Sequence, residues 1–197
     1  MNTRKILKNT ALGFSLFFFT ACGGGGGGSG NATAADTAPL LIPIGIKKTG
    51  QTESFYAKDD GDYQKGLEPS YTRDDATNIV TDHITLLEWQ DNNEVADATK
   101  KKTFVDASAH CANLVLGSHS DWRVPTIDEL MYIADRSKTN PAIDESVFEF
   151  VVSDDYWSST ALVGSATGAW VVFLFDGRDF AFPKTSERFV RCVRDGQ

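Results

Sequence analysis

The apolar positions of this chain recur with a helical period in its middle third and with a strand period in its last third. From Thr103 to Leu116, the residues Phe104, Ala107, Cys111, Leu114 and Val115 fall on one face at helical spacing, which predicts an amphipathic helix stopped by Gly117. A second helix is predicted after Pro125. Thr126-Ile127-Asp128-Glu129 fits a capping box, with Thr126 as N-cap and Glu129 reaching back, and Ile127, Leu130, Met131 and Ala134 form the apolar face. Asn140-Pro141 stops any continuation. From Tyr156 the pattern changes to strands. Ala169 to Phe175 is almost wholly apolar and reads as a central buried strand. Asp176-Gly177 is a hairpin signal, Phe180 and Phe182 alternate on the return strand, and Arg188 to Arg194 is the last strand with Val190 and Cys192 on one face. Upstream, Thr85 to Gln90 reads as a strand that ends in Trp89. Leu40 to Ile46 is a first strand or entry segment, and residues 57–75, rich in Asp, Gly, Lys and Tyr, form a long ordered loop. Helices followed by antiparallel strands give an α+β fold class.

The first forty residues follow neither pattern. Arg4, Lys5 and Lys8 precede an apolar run from Ala11 to Thr20, which is the layout of an export signal. The run is about half the ~20 residues needed to span a bilayer, so it reads as a removed segment and not as a transmembrane helix. Phe19-Thr20-Ala21-Cys22 resembles the lipobox of bacterial lipoproteins, which implies lipidation of Cys22 as the new first residue. Residues 22–39, opened by Gly23 to Gly28, cannot bury enough apolar surface to order themselves and are expected to act as a flexible tether reaching roughly 20–25 Å. The expected organisation is a signal over 1–21, a lipidated tether over 22–39 and one domain over 40–197. The expected location is the bacterial cell envelope, at the outer membrane or cell surface, with the membrane as partner through the lipid.

Charge narrows the partners further. The full chain carries a net −8; once the first 21 residues leave, 16 Lys and Arg face 27 Asp and Glu, a net of −11. Such a surface repels polyanions on average, so nucleic-acid binding is not expected. Cys111 and Cys192 are then the remaining cysteines, an even pair that in an exported protein points to a disulfide, with two buried free thiols as the alternative. A bridge would close a loop of about 81 residues, worth roughly 4.5 kcal/mol in the chain-entropy model. His83, His110 and His119 have no metal-ligand spacing.

Several ordered motifs together resemble the Lcl C-terminal-like family of bacterial exported domains: Asp59-Asp60-Gly61-Asp62-Tyr63-Gln64-Lys65-Gly66; Thr81-Asp82 to Trp89-Gln90; Ser120-Asp121-Trp122-Arg123-Val124-Pro125-Thr126 with Glu129-Leu130; Tyr156-Trp157-Ser158-Ser159-Thr160; and Arg188-Phe189-Val190-Arg191-Cys192-Val193-Arg194. The resemblance spans about Thr49 to Arg194. It implies a variant of the C-type lectin fold, in which a cysteine on the first helix bridges to the final strand, and a non-enzymatic domain that binds a glycan or takes part in adhesion. A relative in that family is the C-terminal domain of a collagen-like adhesin that binds sulfated glycans; this chain has no Gly-x-y repeat. A structural or protein-interaction role in the envelope is the alternative.

Candidate chemistry is sparse. Trp122, Trp157 and Trp170 are expected in or near the core with their indole N–H groups bonded, and Trp157 is also a candidate to stack on a sugar. Arg123 is expected to pair with Asp121 or Glu129. Arg178, Lys184 and Arg188 near the terminal hairpin are candidate ligand contacts forming a local basic patch; solvated strand edge is their plainer reading. Asp59, Asp60 and Asp62 are the best metal candidates, since alternating carboxylates around a glycine can wrap calcium; the plainer reading is a tight turn whose Asp side chains bond the backbone. Asp154 and Asp155 are a weaker option for a cation. Ser158, Ser159 and Thr160 lack a G-x-S-x-G elbow and a histidine placed as base, so no catalytic residue is assigned and no resident cofactor is expected.

Overall fold

A computed structural model describes residues 45–196. The proposed signal, Cys22 and the tether lie outside the described residues. The chain runs α1 (Asp60–Tyr63), β1 (Tyr71–Asp74), β2 (Ile79–Asp82), β3 (Leu87–Gln90), α2 (Asn93–Ala96), a 3-10 turn at Ala98–Lys100, α3 (Phe104–Asn113), α4 (Ile127–Tyr132), β4 (Asp155–Ala161), β5 (Gly168–Phe173), β6 (Arg178–Pro183) and β7 (Val193–Asp195). Two antiparallel sheets carry the strands, one ordered β1-β2-β3-β7 and the other β4-β5-β6. This is an α+β architecture with few, short helices. Among the described residues no helix is long and apolar enough to cross a membrane.

The two main helices form where their caps place them. Thr103 accepts a hydrogen bond from the Asp106 amide and opens α3. The helix ends at Asn113, because Leu114 turns to an extended conformation, so Val115 leaves the predicted face and stands in solvent. At α4 both halves of the capping box are present: the Glu129 amide donates to Thr126 Oγ1 at 3.2 Å, and the Thr126 amide to Glu129 Oε2 at 2.8 Å.

β5 is buried on both faces and divides two apolar cores. Tyr156 and Val172 face one, with Trp89, Leu130, Ile143, Phe148 and Phe189. Trp157, Ala169 and Val171 face the other, with Ala107, Cys111, Trp122, Val190 and Cys192. The segment 189–193 shows the same division: Phe189 and Val193 enter the first core, Val190 and Cys192 the second, as the period-two pattern predicts. Of the expected last strand, Arg188–Arg194, only Val193 and Arg194 pair in a sheet, as part of β7; Arg188 and Phe189 make isolated bridges to Lys102 and Tyr156. Cys111 of α3 is disulfide-bonded to Cys192.

A wholly buried carboxylate ties the first sheet to the rest. Asp91, just after β3, accepts from Arg191 Nη1 (2.8 Å) and the Phe150 amide (3.2 Å) on one oxygen, and from Arg73 Nε (2.9 Å) and the Glu149 amide (2.9 Å) on the other. Arg191 is itself wholly buried; its Nη1 and Nη2 also reach the carbonyls of Gln90 and Phe150, while its Nε has no hydrogen-bond partner. Four donors on one carboxylate offset its desolvation.

Candidate functional site

The motif residues are largely spent on the fold. Trp122 donates from its indole to the His119 carbonyl at 3.2 Å. Arg123 makes a two-pronged pair with Glu129 at 2.7 and 2.8 Å and a third contact to Asp195. Asp121, the other candidate partner of Arg123, accepts instead from Arg194 at 2.7 Å, and Arg194 also holds Glu88. The three hydroxyls after Trp157 also have structural partners. Ser158 donates to the Trp170 carbonyl and Ser159 to the Pro125 carbonyl, while Thr160 accepts from the Ile127 amide at the start of α4.

The sequence candidates for ligand contact do not come together. Trp157 is wholly buried, and its indole donates to the Lys102 carbonyl at 2.9 Å. With no ring face in solvent it cannot stack on a sugar, which corrects that assignment. Arg178 stands six residues from Lys184 along β6 and its continuation, about 20 Å of extended chain, and pairs with Asp176 at 2.7 Å. Lys184 lies over the Phe104 ring at 5.0 Å and bonds the Ala166 carbonyl. Arg188 lies over the Phe182 ring at 4.1 Å and faces Asp155 at 3.0 Å. Lys184 and Arg188 thus share a region near the start of α3, and Arg178 belongs to the opposite end of the hairpin.

The Asp59–Asp62 motif forms α1 and the turn before it. Asp59 is the N-cap. Its carboxylate accepts from the amides of Phe55 (2.9 Å), Tyr56 (3.2 Å) and Asp62 (3.1 Å) and from Gln51 Nε2 (3.0 Å). These bonds, the Phe55 amide foremost, hold its pKa down at about 2. Asp62 accepts from the Lys58 amide at 2.8 Å. Two of the three proposed metal ligands are therefore occupied by backbone donors, which is the tight-turn arrangement. Among the described residues no three Asp, Glu, His or Cys side chains converge to hold a metal.

The loop so built walls a cleft that sequence reasoning did not find. Segments 48–52 and 64–71 form one side, and residues 132–137, from the last residue of α4 onward, form the other, with Asp144 beside them. The cavity measures about 250 Å³. The Arg136 amide donates to the Thr49 carbonyl at 2.8 Å and joins the two walls. Gly50 makes the close approach possible: its φ is +87°, and a Cβ there would lie 2.0 Å from Asp135 Oδ1. Lys47 is buried beneath, paired with Asp82 and donating to the Tyr71 hydroxyl at 3.1 Å. Half-buried Tyr71 and Tyr132 supply aromatic surface to the cleft, Gln51 and Gln64 supply amides, and Asp60, Glu68, Asp135 and Asp144 supply carboxylates. Burial, helped by the carboxylates of Asp82, Asp144 and Asp135, pushes the Tyr71 phenol well above its usual range, so its hydroxyl stays protonated and able to donate.

Beyond the rim the same loop presents Phe55 and Tyr56, 79% and 81% exposed, and Tyr63 at 52%. Their backbone is held by the Asp59 bonds, by Gln64 Nε2 to the Thr52 and Gly61 carbonyls, and by Gly61, where a Cβ would lie 2.2 Å from the Glu53 carbonyl oxygen. The richness of residues 57–75 in Tyr, Asp and Gly was the signal available for this site. It points equally to a turn, a metal loop or a ligand rim until the second wall, some seventy residues later, is in place.

Residues 78–194, which carry the Asp121–Thr126, Tyr156–Thr160 and Arg188–Arg194 motifs, match the model of the Lcl C-terminal domain. The chain belongs to the Lcl C-terminal domain family. Among curated proteins, none matches the chain. The matched Lcl span includes the disulfide, both main helices and the second sheet, and it supplies the 132–144 wall of the cleft. The 48–71 wall, with Asp59–Gly66, precedes it.

Proposed function

We propose that this chain is a lipid-anchored protein of the bacterial envelope whose Lcl domain is a non-enzymatic, C-type lectin-like module that binds a glycan in the cleft between segments 48–71 and 132–137. The observation that carries the reading is the cleft itself, where two tyrosines and a ring of amides, hydroxyls and carboxylates converge in a concave surface. Sugars need both surfaces: apolar C–H faces stack on aromatic rings, and hydroxyls exchange hydrogen bonds with planar polar groups. Membership of the Lcl family supports it, as does the disulfide from the first main helix to the segment entering the last strand. The anchor rests on the charged, apolar and lipobox-like order of residues 1–22. Binding needs no calcium in this reading, because Asp59 and Asp62 already bond backbone amides.

A glycan array probed with the full chain, with and without chelator, tests the proposal. The expected result is specific binding that survives chelation and is lost in Tyr132→Ala. Binding abolished by chelator would replace this reading with a calcium-dependent one. No binding from a folded, disulfide-bonded sample would favour the protein-interaction role.

A further inference from the structure

We infer that the cleft and the Phe55–Tyr56 tip form one extended site for an uncharged oligosaccharide of at least two rings, an inference that rests on the glycan reading above. The cavity of about 250 Å³ lies below the ~300–1,000 Å³ of ordinary ligand pockets, room for one small ring and little more. A second ring leaving it meets the tip. Thr52 lines the cleft, and Phe55 follows three residues on, at most about 11 Å away. Two adjacent aromatic side chains in open solvent are costly to display, and the loop does not collapse to hide them: four hydrogen bonds to the Asp59 carboxylate fix its shape. A rigid, exposed aromatic pair is a stacking platform whose ordering cost is met before the ligand arrives.

The charges around the site select the ligand. Asp60, Glu68, Asp135 and Asp144 line the cleft with Lys48 and Lys65; Lys48 is paired with Glu68, and Lys138 pairs with Asp144 at 2.9 Å and Asp135 at 3.6 Å. Four carboxylates thus face three lysines within a Debye length of about 8 Å, and this nearly balanced, slightly acidic lining offers a sulfated or carboxylated glycan no basic patch. The basic side chains Lys184 and Arg188 are absent from the lining and are held against Phe104 and Phe182. An anionic lipid surface is disfavoured in the same way, because Glu53, Asp59, Asp60 and Asp62 flank the tip against Lys58 and Lys65.

The test is a titration of the full chain with uncharged oligosaccharides of one to six rings, in the β-linked glucose, α-linked glucose and N-acetylglucosamine series, beside heparin. In one series the affinity should rise about tenfold between one ring and two or three, the scale of one aromatic stacking contact, and then level off, with no competition from heparin. Phe55→Ala with Tyr56→Ala should erase the rise and leave single-ring affinity unchanged; both side chains are exposed, so the fold tolerates the change. Equal affinity at every length, or a length dependence that survives the double substitution, overturns the extended site and leaves the cleft reading intact. Binding of heparin alone overturns the charge argument. No binding of any saccharide overturns the glycan reading itself.

Discussion

At the scale of single residues, the decisive groups are buried ion pairs rather than the exposed cations. Asp91 holds two arginines far apart in the chain, Arg73 and Arg191, and two amides of the 148–150 segment. Removing it leaves Arg191 uncompensated in the core, so Asp91→Ala should lower unfolding free energy by about 3–5 kcal/mol in urea melts. Asp195→Ala, which removes an exposed partner of Arg123, should cost no more than about 1 kcal/mol. A loss below 1 kcal/mol at Asp91 would contradict the network. Arg123 was expected to bind Asp121 or Glu129, and Glu129 three residues into α4 is its partner. That Asp121 serves Arg194 was not legible, because a contact across seventy-three residues leaves no local spacing to read. Trp157 shows the reverse difficulty: a tryptophan in a strand carries the same sequence signal whether its ring is packed or presented.

At the scale of elements, the caps and the cross-link were open to sequence reading. Thr126–Glu129 behaves as its pattern requires, because capping is local; the apolar run at 169–175 forms the central strand as far as Phe173, and then turns, leaving Phe175 exposed. β1 and β2 were not, since each has only four residues and β1 alternates half-buried with exposed positions without an apolar stripe. The disulfide closes the 81-residue separation between α3 and the segment entering β7. Replacing both cysteines by alanine should cost about 2–5 kcal/mol, measured as a fall in denaturant midpoint. The 51–64 loop should respond to acid. Asp59 titrates at about 2 when folded, below the ~3.9 of a free aspartate, so its hydrogen bonds contribute fully above about pH 4 and are lost as pH falls towards 2. The amide resonances of Phe55, Tyr56 and Asp62 should move together with a midpoint near 2; a midpoint near 4 would show that Asp59 does not hold the loop.

At the scale of the molecule, an acidic chain carries its aromatic tip on the loop that forms one wall of its polar cleft, while Lys184 and Arg188 sit on aromatic rings near α3. The family motifs build the scaffold, and the residues that face the cleft come mostly from the segment before the Lcl span, the span itself supplying the 132–144 wall. This explains why a sequence rich in recognisable motifs gave little direct sign of its site: the motifs describe ion pairs, caps and a disulfide, whereas the cleft is made by two stretches about seventy residues apart. The central claim is that glycan enters between segments 48–71 and 132–137. Backbone resonance mapping of the full chain, titrated with a mixed set of uncharged oligosaccharides, tests it most directly. The account predicts shifts clustered at Gln51, Gln64, Tyr71 and Tyr132, extending to Phe55 and Tyr56 with longer saccharides. Shifts confined to Lys184 and Arg188, or none at any saccharide concentration, would contradict it.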